Sequence, residues 1–242
     1  MSTSNSYDYT TTRDQIITYA FRKIGALGDY ETLDTVRRDA GIAALNPMIK
    51  AYAAKGMLLW AITEQYFPLT HWASSPTVTI GPGGTINQPV KPLKILQVSR
   101  RDNSVPTQPI DVDLNVYTYD EYRSLSNKYA QGTPIYYFYQ PQAYLGNLSL
   151  WNLPDTYWTT NGQLYIRYQR QFQDFDNSTD EPDFPVEWHE ALIYNLAVRL
   201  APEYGVAPND RGMLKQEAKE ALDVALSFGT EEGSLYLQPA RQ

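Results

Sequence analysis

Few residues in this chain could do chemistry, and the most suggestive stand in "EWHEALIYNLAVRLAPEY", residues 187–204. His189 followed by Glu190 is the first half of the His-Glu-x-x-His pattern, in which two imidazoles one helical turn apart hold zinc and the Glu acts as base. Position 193 is Ile, so the second ligand is missing. There are two His and no Cys in the whole chain, and His71 is too isolated in sequence to support a ligand pair. His189 therefore reads as a partly exposed histidine in the first turn of a helix, and neither a metal nor any other cofactor is expected.

The remaining candidates dissolve in the same way. Asp111 with Asp113, or Asp174 with Asp176, could in principle flank a glycosidic bond. Nothing in the sequence selects one pair over another, and they read as solvated loop carboxylates. "GPGG" at 81–84 lacks the spacing and the following helix of a phosphate loop, and reads as a hairpin turn. The Gly-x-Ser-x-Gly elbow of serine hydrolases is missing. Asn177-Ser178-Thr179 fits a glycosylation acceptor but, with no leader peptide in view, reads as loop. No catalytic constellation emerges, and the chain is expected not to be an enzyme.

Composition narrows the field further. Without cysteine, disulfides, thiolate metal sites and thiol nucleophiles are excluded. Twenty-seven acidic against 20 basic residues give a net charge of -7. No Lys/Arg block supplies the concentrated basic face that gripping a phosphate backbone requires. Twenty Tyr and 16 Pro suit half-buried strands and interfaces, where a rigid ring with a polar tip gives a large contact area. The opening residues lack a basic-then-apolar leader, and no apolar run approaches the roughly 18 residues of a membrane span. A soluble protein without a membrane partner is expected.

The elements that would carry these residues follow from periodicity. Thr12 and Gln15 have capping-box spacing, Ile17, Ala20, Phe21 and Ile24 form a helical stripe, and Gly25 or Gly28 is a left-handed stop. This predicts a helix over 12–25. A second helical pattern, "DTVRRDAGIAALNPMIKAYAAKG", carries Ile42, Leu45, Ile49 and Tyr52 on one face, with Pro47 expected to kink or restart it. Runs at 76–80, 93–100, 133–140, 147–153 and 162–172 read as strands, interrupted by one short helix over 119–129. The polar run 173–183 reads as a separator. Pro185 is placed as the first residue of a helix that is apolar nearly all round, belongs at the centre of a bundle and is ended by Pro202. A last helix runs from near Asn209 to Phe228, with Gly229 as terminator. The fold class is therefore α+β: a helical bundle of N- and C-terminal helices with an inserted antiparallel β-rich domain, sandwich or barrel-like. The expected domains are 1–60 with 180–229, then 61–179, then a tail over 230–242.

The order "TRDQIITYAFRKIGAL", "ALNPMIKAYAAKGMLLW", a β-rich insert and "PDFPVEWHEALIYNLAVRLAPEYGV" resembles the head-to-tail adaptor, or tail accessory factor, family of short-tailed bacteriophages. The "YNLAVRLAPEY" block followed by one more long helix is the best marker. The resemblance implies a structural virion protein, assembled in the host cytoplasm into a ring, commonly dodecameric, beneath the portal. Its partners would be the portal protein, other copies of itself and a downstream tail or nozzle protein. DNA would pass through the channel without sequence-specific binding, as an acidic wall favours. Within the tail, Leu235, Tyr236 and Leu237 are the candidate docking residues, on the portal or a neighbouring subunit. The alternative is a virion carbohydrate-binding or cell-wall-degrading protein in which Trp151, Tyr157 and Trp158 stack on sugars.

Overall fold

The computed structural model describes residues 5–6, 8–55 and 59–228. In chain order the elements are α1 (Arg13–Lys23), α2 (Thr35–Lys55), β1 (Ile62–Pro68), β2 (Thr77–Gly81), β3 (Ile86–Asn87), β4 (Lys94–Asp102) and β5 (Ile110–Asp113). There follow β6 (Asn115–Val116), α3 (Tyr119–Ser124), β7 (Gln131–Gly132), β8 (Tyr136–Pro141), β9 (Gly146–Trp151) and β10 (Leu153–Pro154). The chain continues through α4 (Thr156–Asn161), β11 (Gly162–Gln169), α5 (His189–Leu200) and α6 (Pro208–Phe228). The class is α+β. The described residues of Met1–Trp60 and Phe172–Gln242 make one compact unit, and Ala61–Gln171 makes the other.

In the helical unit, α1 starts where its sequence says it should. Gln15 Oε1 accepts from the Thr12 N–H at 2.9 Å, and Gly25 takes the positive φ of 69° that a helix stop needs. Ile16, Ile17, Ala20 and Phe21 are buried on one face. Gly41 of α2 lets that face come close, since a Cβ there would meet Ile17 Cγ2 at 2.5 Å. The second helix passes through Pro47 without a break and buries Leu45, Met48 and Ile49. The Pro ring is exposed, so the missing donor faces water, which can satisfy the freed carbonyl.

The polar run after the sheet does more than separate. Phe172, Phe175 and Phe184 are buried, and the first and last of these pack with Trp60 and Trp188, the Phe172 and Phe184 rings 4.5 Å apart. Arg13 fastens the run to α1: its N–H donates to Asp180 O at 2.8 Å and its guanidinium to Asp176 O at 3.0 Å. Pro185 precedes a 3-10 turn over Val186–Trp188, and α5 proper begins at His189, slightly later than its sequence suggests. This helix contacts α1, α2 and α6. It is not apolar-packed all round, because Ile193 and Tyr194 remain half-exposed. After the turn at Gly205, α6 returns along α5, where Asn195 Nδ2 donates to Ala218 O at 3.2 Å.

The strand-rich unit has a four-stranded sheet, β1-β11-β4-β5, and a five-stranded sheet, β3-β2-β9-β8-β6, with a two-stranded pair of β10 and β7. Period-2 alternation sends Leu164, Ile166 and Tyr168 of β11, Val98 of β4, Ile80 of β2 and Leu148 of β9 into a shared core. Each fully buried aliphatic there contributes about 1.5–3 kcal/mol. Trp72 plugs the core and donates from Nε1 to Leu148 O at 3.1 Å. Most pairing is antiparallel, but β2–β3, β6–β8 and β7–β10 are short parallel pairs. The 81–84 segment is thus a tight turn, closed by Gly84 N–H to Gly81 O at 3.0 Å, but not an antiparallel hairpin. The helix expected over 119–129 stops at Ser124.

Candidate functional site

His189 sits at the start of α5, and its environment is a correction to its sequence reading. The ring is 4% exposed rather than partly solvated, and its Nδ1 is hydrogen-bonded to Thr11 Oγ1 at 2.5 Å. Burial holds the imidazole pKa below its usual value, against opposing pulls from the Phe184 backbone and from Glu181 and Glu187. The side chain therefore locks the segment before α1 onto the head of α5. His71 lies in the other unit, beside Trp72. Among the described residues no group of three or more His, Asp or Glu side chains is placed to hold a metal.

Of the carboxylates read as loop residues, Asp174 and Asp176 are exposed and in loop as read, whereas Asp111 and Asp113 are placed differently. Asp111 and Asp113 lie on β5 with partners. Arg101 grips Asp111 through two bonds of 2.7 Å, and this pair holds the Asp111 carboxyl below the ordinary range. Asp113 accepts from Ser99 Oγ and Gln97 Nε2, which lower its pKa likewise. Asp174 pairs with Lys50 at 2.9 Å. These acids fasten elements to one another.

Nor do the three aromatics of the sugar reading form one platform. Trp158 is 9% exposed, with its Nε1 bonded to Thr133 Oγ1 at 3.0 Å, so its faces are taken up by the core. Tyr157 is exposed but stands edge-on to Trp158 at 88°, and its hydroxyl donates to Asp102 at 2.6 Å. Trp151 belongs to a separate group with Tyr117 and Tyr136, whose rings stack 4.1 Å apart.

In the helical unit an open groove of about 570 Å³ lies between α1 and the head of α5. Thr11 meets His189 at one end, and Lys23 Nζ donates to the Tyr194 hydroxyl at 2.7 Å at the other, so the two helices run in the same direction along it. Its lining is graded. Glu187 and Glu190 lie at the His189 end and Arg22 and Lys23 at the Tyr194 end, all four exposed. Tyr19 and Ile193 supply apolar surface between them and Tyr9 lies beside His189, with Tyr9 64% and Tyr19 38% exposed. Sequence reasoning missed this groove. The exposed i, i+3, i+4 stripe Tyr19, Arg22, Lys23 marks one wall, but its other wall is about 170 residues away in the chain. The docking residues Leu235, Tyr236 and Leu237 lie outside the described residues.

No helix among the described residues is long and apolar enough to cross a membrane. The curated proteins contain no match to this chain. A family model, SU10 adaptor protein, matches residues 14–241 and so takes in both helical segments and the strand-rich unit between them. With that match added to the order of helices and strands, the chain belongs to the SU10 adaptor protein family, a family of bacteriophage head-to-tail adaptors.

Proposed function

We propose that this chain is the subunit of a ring, dodecameric by family resemblance, which attaches to the portal of its phage, extends the DNA channel and forms a platform for tail components. The family match over residues 14–241 carries this reading. The helical unit supports it, because α6 presents Met213 (61% exposed) and Val224 (57% exposed) on its outer surface, apolar points suited to a neighbouring copy. The net charge of -7 suits a wall past which DNA slides, since repulsion removes the counterion release that makes proteins hold it. In this reading Leu235, Tyr236 and Leu237 dock the tail on the portal or on a neighbouring subunit, and the subunit is a structural component of the virion.

The test is the solution mass of the purified protein, alone and mixed with the portal of its own phage, by light scattering. A stoichiometric ring on the portal is the expected result. A chain whose mass is unaltered by the portal overturns the reading.

A further inference from the structure

The groove between α1 and α5 has a polarity that the unassigned end of the chain matches. Along the groove, acids at Glu187 and Glu190 beside Tyr9 and His189 give way to the apolar surface of Tyr19 and Ile193, then to Arg22 and Lys23. Residues 231–241, "EEGSLYLQPAR", carry the complementary order in reverse: two acids, an apolar Leu-Tyr-Leu, then a base. Opposite charges at both ends of an apolar centre fix direction as well as position. Fully extended, Glu232 to Arg241 reaches at most about 30 Å. The whole of α1 is 11 residues, about 16 Å of helical rise, so the segment has chain enough to span the groove along it.

Direction decides which copy supplies the segment. α6 runs back along α5 and contacts the Val186–Trp188 turn, so residue 228 lies near the acidic mouth of the groove in its own chain. Entering from there, Glu231 and Glu232 would meet Glu187 and Glu190 first, like charge against like. A segment arriving from another copy is free to enter at the Arg22 and Lys23 end. We propose that the α1–α5 groove of each subunit receives residues 231–241 of a neighbouring copy, with Glu231 and Glu232 facing Arg22 and Lys23, Leu235-Tyr236-Leu237 on Tyr19 and Ile193, and Arg241 facing Glu187 and Glu190. This inference rests on the ring reading above and chooses the neighbouring subunit over the portal as the tail's receptor.

The absence of native cysteine makes the test clean. One full-length chain carries Tyr19→Cys and a second carries Tyr236→Cys. They are mixed, assembled on portal, mildly oxidised with diamide and run without reductant. A reducible dimer of the two variants is expected, and none when Tyr30→Cys, fully exposed and outside the groove, replaces Tyr19→Cys. The pair Arg22→Glu and Lys23→Glu should lower the yield about tenfold, and Glu231→Lys with Glu232→Lys should restore it, which separates charge matching from damage to the fold. Absence of the dimer in a sample whose mass shows an assembled ring overturns the groove assignment and leaves the ring reading standing. Tyr236→Cys linking to portal instead, or linking only within one chain when both cysteines are on it, overturns the assignment as well. A chain that forms no ring with portal overturns both.

Discussion

At the scale of single residues, His189 and Trp158 show how side chains of functional appearance are used for cohesion. Burial makes the folded state favour neutral His189, so its folded pKa lies below the unfolded value of 6.5. As pH falls through 6.5, the unfolded chain takes up a proton that the folded chain refuses, and stability is lost until the lower folded pKa is reached. Above that window both states are neutral and the group contributes nothing to pH dependence. Thermal melts of His189→Asn should accordingly show a shallower loss of stability just below pH 6.5 than the parent chain does. Trp158 is buried and bonded to Thr133, so Trp158→Ala should lower stability by about 3–5 kcal/mol. The same change at exposed Tyr157 should cost well under half of that, as read by urea unfolding.

At the scale of elements, local signals were legible wherever they stood within a few residues of one another. Thr12, Gln15 and Gly25 bracketed α1 because caps and stops are short-range chemistry. The alternation in Leu164, Ile166 and Tyr168 announced β11 for the same reason. Strand β5 was not legible, since "IDVD" reads as acidic loop until Arg101 and Ser99 of β4 are brought beside it. Pro47 was expected to interrupt α2, but the packing of Leu45, Met48 and Ile49 outweighs one absent bond. That cost remains in the folded protein. Pro47→Ala, at an exposed position, should therefore raise stability by about 1–3 kcal/mol in a thermal melt. Gly41→Ala should act oppositely, by about 1–3 kcal/mol, because its new methyl must displace Ile17.

At the scale of the whole molecule, the class and family were readable in the order of elements, whereas the groove was not, because Tyr19 and Ile193 become neighbours only when α1 lies beside α5. Removing residues 230–242 should leave the far-ultraviolet dichroism and melting temperature of the helical unit unchanged while reducing incorporation onto portal, as read by the mass of the assembled particle. The middle segment, Ala61–Gln171, begins and ends in the same sheet. Its first and last strands, β1 and β11, lie side by side along their whole length, and Arg170 N–H donates to Ala61 O at 2.8 Å where they begin and end. Just outside, Trp60 stacks on Phe172 with ring centroids 6.3 Å apart. Chain enters and leaves this segment at neighbouring positions, so a short Gly-Ser bridge in place of residues 61–171, or another module with paired terminal strands, should leave α1, α2, α5 and α6 folded, as read by far-ultraviolet dichroism.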